Sequence, residues 1–220
     1  MAINVSGFGG VVQEVEANTR AARVSLRPDD IGSLGSYRLA VFSGLTTGLA
    51  AAAPVFAFRW SDATRLALIR RVTVQAQVVT GFTAQQEIAT EVFIARAWSA
   101  ADTAGTAIVL TGNNNKKQTS MGSSLVGVND VRVATAAALT AGTRTLDANP
   151  VANMAALELA ALGTVPRASL NMDWDMTNGV RPQTLVTNEG FIVRNTIAQG
   201  AGGTVRWAIS VAWDEVAAYS

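Results

Sequence analysis

Near the end of the chain Val205, Trp207, Ile209, Val211 and Trp213 alternate with Arg206, Ala208, Ser210, Ala212 and Asp214. A period of two puts one set on each face of an extended segment, which predicts a half-buried strand over residues 204–216. Short apolar runs bounded by Gly or Pro at 37–42 and 55–60 read the same way, with a small-residue loop between them. Over 65–80 the period-two series Leu66, Leu68, Val72, Val74, Ala76, Val78 is interrupted by Arg70. That interruption predicts either a bulge near residues 69–71 or a short helical start capped by Asp62. Over 86–98, Ile88, Val92, Ile94 and Trp98 alternate with Glu91, Phe93, Ala95 and Ala97, so both faces are apolar enough to be buried. Further strands are expected at 106–110, 131–137 and 190–196, and the Gly-rich stretch 195–203 as the turn of an antiparallel hairpin joining the last two strands.

One helix is predicted. Asn149 suits an N-cap, Pro150 the first helical position, residues 151–162 hold Ala, Met, Leu and Glu, and Gly163 supplies a stop. The first 35 residues differ from the rest: Gly7, Gly9 and Gly10 precede Glu14, Glu16, Arg20, Arg23 and Arg27 without a sustained period. They read as an extended arm, held by a neighbouring chain or packed on its own domain. The expected fold is therefore all-β, an antiparallel β-sandwich or jelly roll with one short helix and an extended N-terminal arm, divided into the arm (1–35) and the sandwich domain (36–220).

Composition narrows the chemistry. The 220 residues include no His and no Cys, which removes the usual neutral-pH acid/base group, the thiolate nucleophile and any plausible zinc or iron–sulfur site. Carboxylate chemistry, Ser-Lys chemistry and hard-cation sites stay open. Charged residues make up 15% of the chain and the net charge is +1, too weak a field for nucleic acid to be the expected partner. Of 17 cations only Lys116 and Lys117 are Lys, and the Arg excess suits either protein–protein contact or genomic base composition. No stretch reaches the roughly 18 apolar residues of a membrane span, and residues 1–10 lack the basic start of a secretory signal, so a soluble protein with no membrane partner is expected.

Several constellations are candidate sites. Asp173 and Asp175 flank Trp174; in a strand the two carboxylates share a face that would hold Ca²⁺ or set a sugar against the indole, and in a loop they are solvated. Residues 111–120, TGNNNKKQTS, would touch phosphate or glycan through Lys116 and Lys117, or serve as an ordinary exposed turn. Ser120, Ser123 and Ser124 lie near those lysines, but a Ser-Lys dyad needs a desolvated amine. The glycines at 7–10 lack the preceding strand and following Lys of a phosphate loop. Trp60, Trp98, Trp174, Trp207 and Trp213 would make a carbohydrate platform, although Trp207 and Trp213 fall on the apolar face of their strand. The loop 45–53, with four consecutive alanines, reads as a surface for another subunit or as a buried helical turn. No catalytic residue, cofactor or metal ligand is assigned, and no enzymatic activity is expected.

An ordered series of short blocks resembles a known group. The blocks are 36–40 (SYRLA), 54–60 (PVFAFRW), 110–114 (LTGNN), Met121 with Gly122, 140–147 (TAGTRTLD), 188–191 (NEGF) and 213–216 (WDEV). Together they resemble proteins encoded by tailed bacteriophages and prophages, over most of residues 36–220. The resemblance implies a virion structural protein assembled in the host cytoplasm, and carries no active-site residues. The expected role is a capsid decoration or cement protein, a homo-oligomer bound to the major capsid protein or other virion proteins. The alternatives are a tail, collar or fibre-attachment component, a glycan- or receptor-binding module using Asp173, Trp174 and Asp175, and a carboxylate glycosidase using the same two aspartates.

Overall fold

Period-two sequences can bury their apolar face only against another layer, and here two sheets supply it for each other. The computed structural model describes residues 34–110, 112, 115–158, 169–176, 182–200 and 202–217. The arm assigned to 1–35 lies outside these except for Leu34 and Gly35. Within the described residues the strands are β1 (Gly35–Phe42), β2 (Pro54–Trp60), β3 (Arg65–Thr80), β4 (Gln86–Arg96), β5 (Thr106–Ala107), β6 (Val131–Val133), β7 (Thr145–Leu146), β8 (Ala152–Glu158), β9 (Ser169–Asp175), β10 (Gln183–Leu185), β11 (Glu189–Asn195) and β12 (Thr204–Ala217).

The first sheet runs β1-β12-β3, with β9 and β10 in succession along the far side of β3. The second runs β5-β6-β2-β11-β4, with β7 and β8 in succession along the far side of β4. Every ladder is antiparallel, and successive strands lie in different sheets at β1 to β2, β2 to β3, β3 to β4, β8 to β9, β10 to β11 and β11 to β12. This interleaving of early and late strands in two packed antiparallel sheets is a jelly-roll sandwich. Between β11 and β12 the chain consequently passes from one sheet to the other. The expected hairpin between the last two strands does not form, because β11 pairs with β2 and β4 while β12 pairs with β1 and β3.

The core lies between the sheets and is strongly aromatic. Tyr37 stacks on Trp213 with ring centroids 5.5 Å apart, Phe58 stacks on Phe191 at 5.3 Å, and Phe58 meets Trp213 edge-on at 5.3 Å. Trp207, fully buried, donates its indole N–H to Thr90 Oγ1 at 3.2 Å, so its one polar atom is satisfied inside the core. Β4 is buried on both faces as its sequence predicts: Ile88, Val92 and Ile94 face the main core, and Phe93 and Ala95 face a second cluster with Ala57, Ile192 and Leu139. Trp98 joins that second cluster instead of the Ile88 side, because Ala97 (φ 47°) turns the chain just after the strand.

The interruption at Arg70 is a bulge. The β12–β3 register passes from Ala212 opposite Arg71 to Trp213 opposite Ile69, leaving Arg70 as the extra residue. The inward set of β3 therefore changes parity, from Ala67 and Ile69 before the bulge to Val72, Val74, Ala76 and Val78 after it. Leu66 and Leu68 consequently do not share the face of Val72; they pack with Val216 in a separate cluster.

The expected helix is corrected. Residues 152–158 form β8, paired from Ala152 opposite Val92 to Glu158 opposite Gln86, with Val151 N–H donating to Val92 O at 2.8 Å. Ala152, Met154 and Ala156 turn partly inward while Asn153, Ala155 and Leu157 are exposed. Helix propensity is a weak prior, and here it yields to a seven-residue ladder that satisfies the free edge of β4. Pro150, read as a helix start, sits just before a strand, where its missing N–H costs nothing. Residues 159–162 of that expected helix lie outside the described residues.

Gly190 sits at a tightly packed point of the second sheet. A Cβ there would meet Phe58 O at 2.1 Å and the Trp98 ring at 2.8 Å. Gly190→Ala is expected to lower stability by about 1–3 kcal/mol through overpacking. Gly122→Ala, whose Cβ would meet open space, is expected to stay within about 0.5 kcal/mol of the parent. Urea unfolding followed by tryptophan fluorescence compares the two, and equal losses would refute the packing argument.

Candidate functional site

The polar side of the C-terminal alternation is mostly small. Ala208, Ser210 and Ala212 of β12 face outward beside Ala40 of β1 and Thr73 of β3. Register sets them in rows across the sheet: Phe42, Ala208, Gln75, Asn171; then Ala40, Ser210, Thr73, Asp173; then Arg38, Ala212, Arg71, Asp175. The outer face of the first sheet is thus a floor of Ala, Ser and Thr, with charge along one end and Phe42, 69% exposed, at one corner. Residues 108–110 and Asn115 rise beside β1 and bound a groove of ≈ 690 Å³ over Arg38, Ala40, Arg71, Thr73 and Ser210. That volume lies in the range of clefts that bind ligands or peptide segments.

Arg71 is held by Asp173 through two hydrogen bonds of 2.9 and 2.5 Å, and this pairing, aided by Asp175, makes its guanidinium harder to deprotonate than usual. Both side chains are about half exposed, so the pair positions more than it stabilises. Arg38 is exposed and forms no ion pair among the described residues.

The wall of the groove is anchored through β1. Arg38 N–H donates to Asn115 O at 2.8 Å, Lys117 N–H to Ser36 O at 3.0 Å, and Tyr37 O–H to Gly122 O at 3.1 Å. Further along the loop, fully buried Glu215 accepts from Ser124 Oγ at 2.7 Å, Leu125 N–H at 3.1 Å and the Trp213 indole N–H at 3.1 Å. Burial pushes the Glu215 carboxyl above the ordinary range; the three donors hold it back, and the charge of Asp62 adds to the rise. Burial, with the charge of Glu215, pushes the Tyr37 hydroxyl up to about 12. Next in sequence, buried Asp214 accepts from Ser36 Oγ at 2.5 Å and pairs with Arg70 Nε at 2.6 Å.

Other polar clusters pin loops to the second sheet. Arg144 pairs with Asp102 and lies 4.7 Å from the Trp98 ring centroid, with side-chain exposures of 5% and 0% for the pair. Burial lowers the Arg144 pKa to about 10. Arg59 bonds Asp130 at 2.9 Å, Asn188 Oδ1 at 2.9 Å and Trp98 O at 2.7 Å. These groups bind one another and the backbone, and none lines the groove.

The residues singled out in the sequence fare unevenly. Asp173 and Asp175 share the outward face, as a strand requires, but the same alternation sends Trp174 inward, edge-on to Phe191 at 6.1 Å. A sugar seated on that indole between the two carboxylates is excluded by this geometry. Trp60, Trp98, Trp207 and Trp213 are fully buried, so no aromatic platform forms. Ser124 is committed to Glu215, not to a lysine. Within 45–53, Thr46 pairs with Val205 and Leu49 and Ala53 are buried, while Ala50, Ala51 and Ala52 are exposed. Gly7, Gly9, Gly10, Thr111, Asn113 and Asn114 lie outside the described residues. Among the described residues no three His, Cys, Asp or Glu side chains gather as a metal site. The groove itself was missed, although its floor was visible as the small residues at 208, 210 and 212; what the sequence lacked was the neighbour that walls it.

Fold and site together define a jelly-roll protein with one small-residue sheet face and a groove along its edge. Comparison with family models, curated proteins and solved structures finds no match for this chain.

The raised Glu215 pKa has a definite sign. The folded state keeps this proton to higher pH than the unfolded state, whose carboxyl titrates near 4.5. The contribution of Glu215 is therefore fully present below that pH and is lost as pH rises through the folded pKa. Glu215→Gln, which does not titrate, is expected to gain stability relative to the parent as pH is raised from about 4.5. Urea midpoints across a pH series test this, and an opposite slope would mean that the hydrogen bonds hold Glu215 charged.

Proposed function

We propose that this protein is a structural component of a tailed-phage particle, acting as a decoration or cement protein on the outer capsid. The observation that carries the reading is the outer face of the first sheet. Its floor of Ala, Ser and Thr lets another subunit approach the backbone closely, and its rows of Arg, Asp and Asn fix orientation. Such a surface gives a modest contact, and many modest contacts on a symmetric lattice sum to firm attachment. The jelly roll supports the reading as fold-level analogy, since this architecture recurs in viral capsid domains. The resemblance of the blocks between residues 36 and 216 to phage-encoded proteins agrees with it.

The test is quantitative mass spectrometry of purified particles, giving the copies of this chain relative to the major capsid subunit. A ratio matching the capsid lattice is expected. A ratio of a few per hundred would move the protein to a tail, collar or fibre ring, and absence from the particle would overturn the structural role.

A further inference from the structure

Among the described residues the outer edge of β1 is paired over only half its length. Residues 115–117 lie alongside residues 36–38, through Arg38 N–H to Asn115 O and Lys117 N–H to Ser36 O. Because Arg38 N–H points away from β12, alternation points the N–H and C=O groups of Ala40 and Phe42 the same way. Among the described residues no strand pairs with them, and β1 ends the sheet. Natural sheets blunt such edges with Lys, Pro, a bulge or a covering loop. Leu39, Ala40, Val41 and Phe42 include no Lys or Pro, and their register with β12 runs without a bulge.

The groove lies along this edge. Its far wall is Ile108, Val109 and Leu110, of which Val109 is 56% exposed, and Arg38 stands at its end without a carboxylate partner among the described residues. Backbone donors and acceptors on one side, apolar side chains on the other and one uncompensated cation make a slot for an extended polypeptide. We infer that the free stretch of β1 accepts an extended segment of a partner polypeptide as an added strand of the first sheet, with an acidic side chain of that segment reaching Arg38. A residue opposite Ala40 is the diagonal neighbour of Arg38, within reach of a glutamate, and a residue opposite Phe42 is best apolar. This slot does not depend on the particle being a virion; it names where a subunit would grip whatever the assembly.

The test titrates the full chain, ¹⁵N-labelled, with an acetylated and amidated pentapeptide that alternates threonine with valine at its second and glutamate at its fourth position. Chemical-shift changes confined to residues 38–42 and 108–110 are expected. The same peptide N-methylated at its second and fourth residues, whose N–H groups would face β1, should not bind. Arg38→Glu should weaken binding about fivefold and favour the peptide with lysine in place of glutamate. Ala40→Pro removes only an edge-facing N–H, leaves the β1–β12 ladder intact and should abolish binding. No shifts, shifts elsewhere, or equal binding of the N-methylated peptide would overturn the inference, while leaving the particle stoichiometry to be judged on its own.

Discussion

The pairing of β12 with its two neighbours is the constraint on which the rest depends. Residues 204–217 bond β3 along one side, and residues 208–215 bond β1 along the other, so one strand fixes the first sheet. Its inward face places Trp207 and Trp213 against both sheets at once, the first bonded to Thr90 of β4 and the second between Tyr37 and Phe58. Burying two indoles and their partners contributes several kcal/mol on the scale of about 25 cal/mol per Å². A slip of one residue in β12 would turn both indoles to solvent, and that cost sets the register for everything paired with it.

The bulge at Arg70 reconciles that register with the charges at the end of the strand. Just past it β12 carries Asp214 and Glu215 in succession, opposite Leu68 and Ala67 and one on each face of the sheet. Arg70, freed from the regular alternation, reaches Asp214, while Glu215 turns the other way and is met by Ser124, Leu125 and Trp213. A buried carboxylate without such partners would cost more than a typical hydrogen bond returns. The same two residues therefore tie β3 to β12 and the 121–126 loop to the sandwich, and the loop in turn continues from the segment that walls the groove.

How much of this was legible follows from where the information sits. The strands at 65–80, 86–96 and 204–217 show in their period-two alternation and those at 35–42 and 54–60 in short apolar runs bounded by Gly or Pro, because such signals are local; the break at Arg70 was visible too, as either the bulge that forms or a helical start. The sheet to which a strand belongs is not local: the stretch 195–203 reads as a hairpin turn, and only the competing ladders of β2, β4, β1 and β3 show otherwise. Residues 152–158 fail for a related reason. Their Ala, Met and Leu suit a helix, and only the open edge of β4 makes a strand of them. For the candidate site, alternation correctly put Asp173 and Asp175 on one face. It equally required Trp174 to leave that face, so the glycan reading and the strand assignment were incompatible from the start.

The two outer faces of the sandwich show how the same fold separates stability from contact. On the second sheet, Ala57, Ile192, Phe93 and Ala95 are covered by Trp98, Leu139 and Leu146, Arg144 and Asp102 close over Trp98, and Arg194 lies 3.9 Å from the Phe93 ring centroid. Large apolar groups there demand a cover, and the loops around β5 and β7 supply it. On the first sheet the corresponding positions hold Ala40, Thr73, Ala208, Ser210 and Ala212, which lose little by facing water and so require no cover. A β-branched or aromatic residue at 208, 210 or 212 would favour the strand more strongly. Small residues there forgo strand propensity, and in exchange the backbone of this face stays approachable.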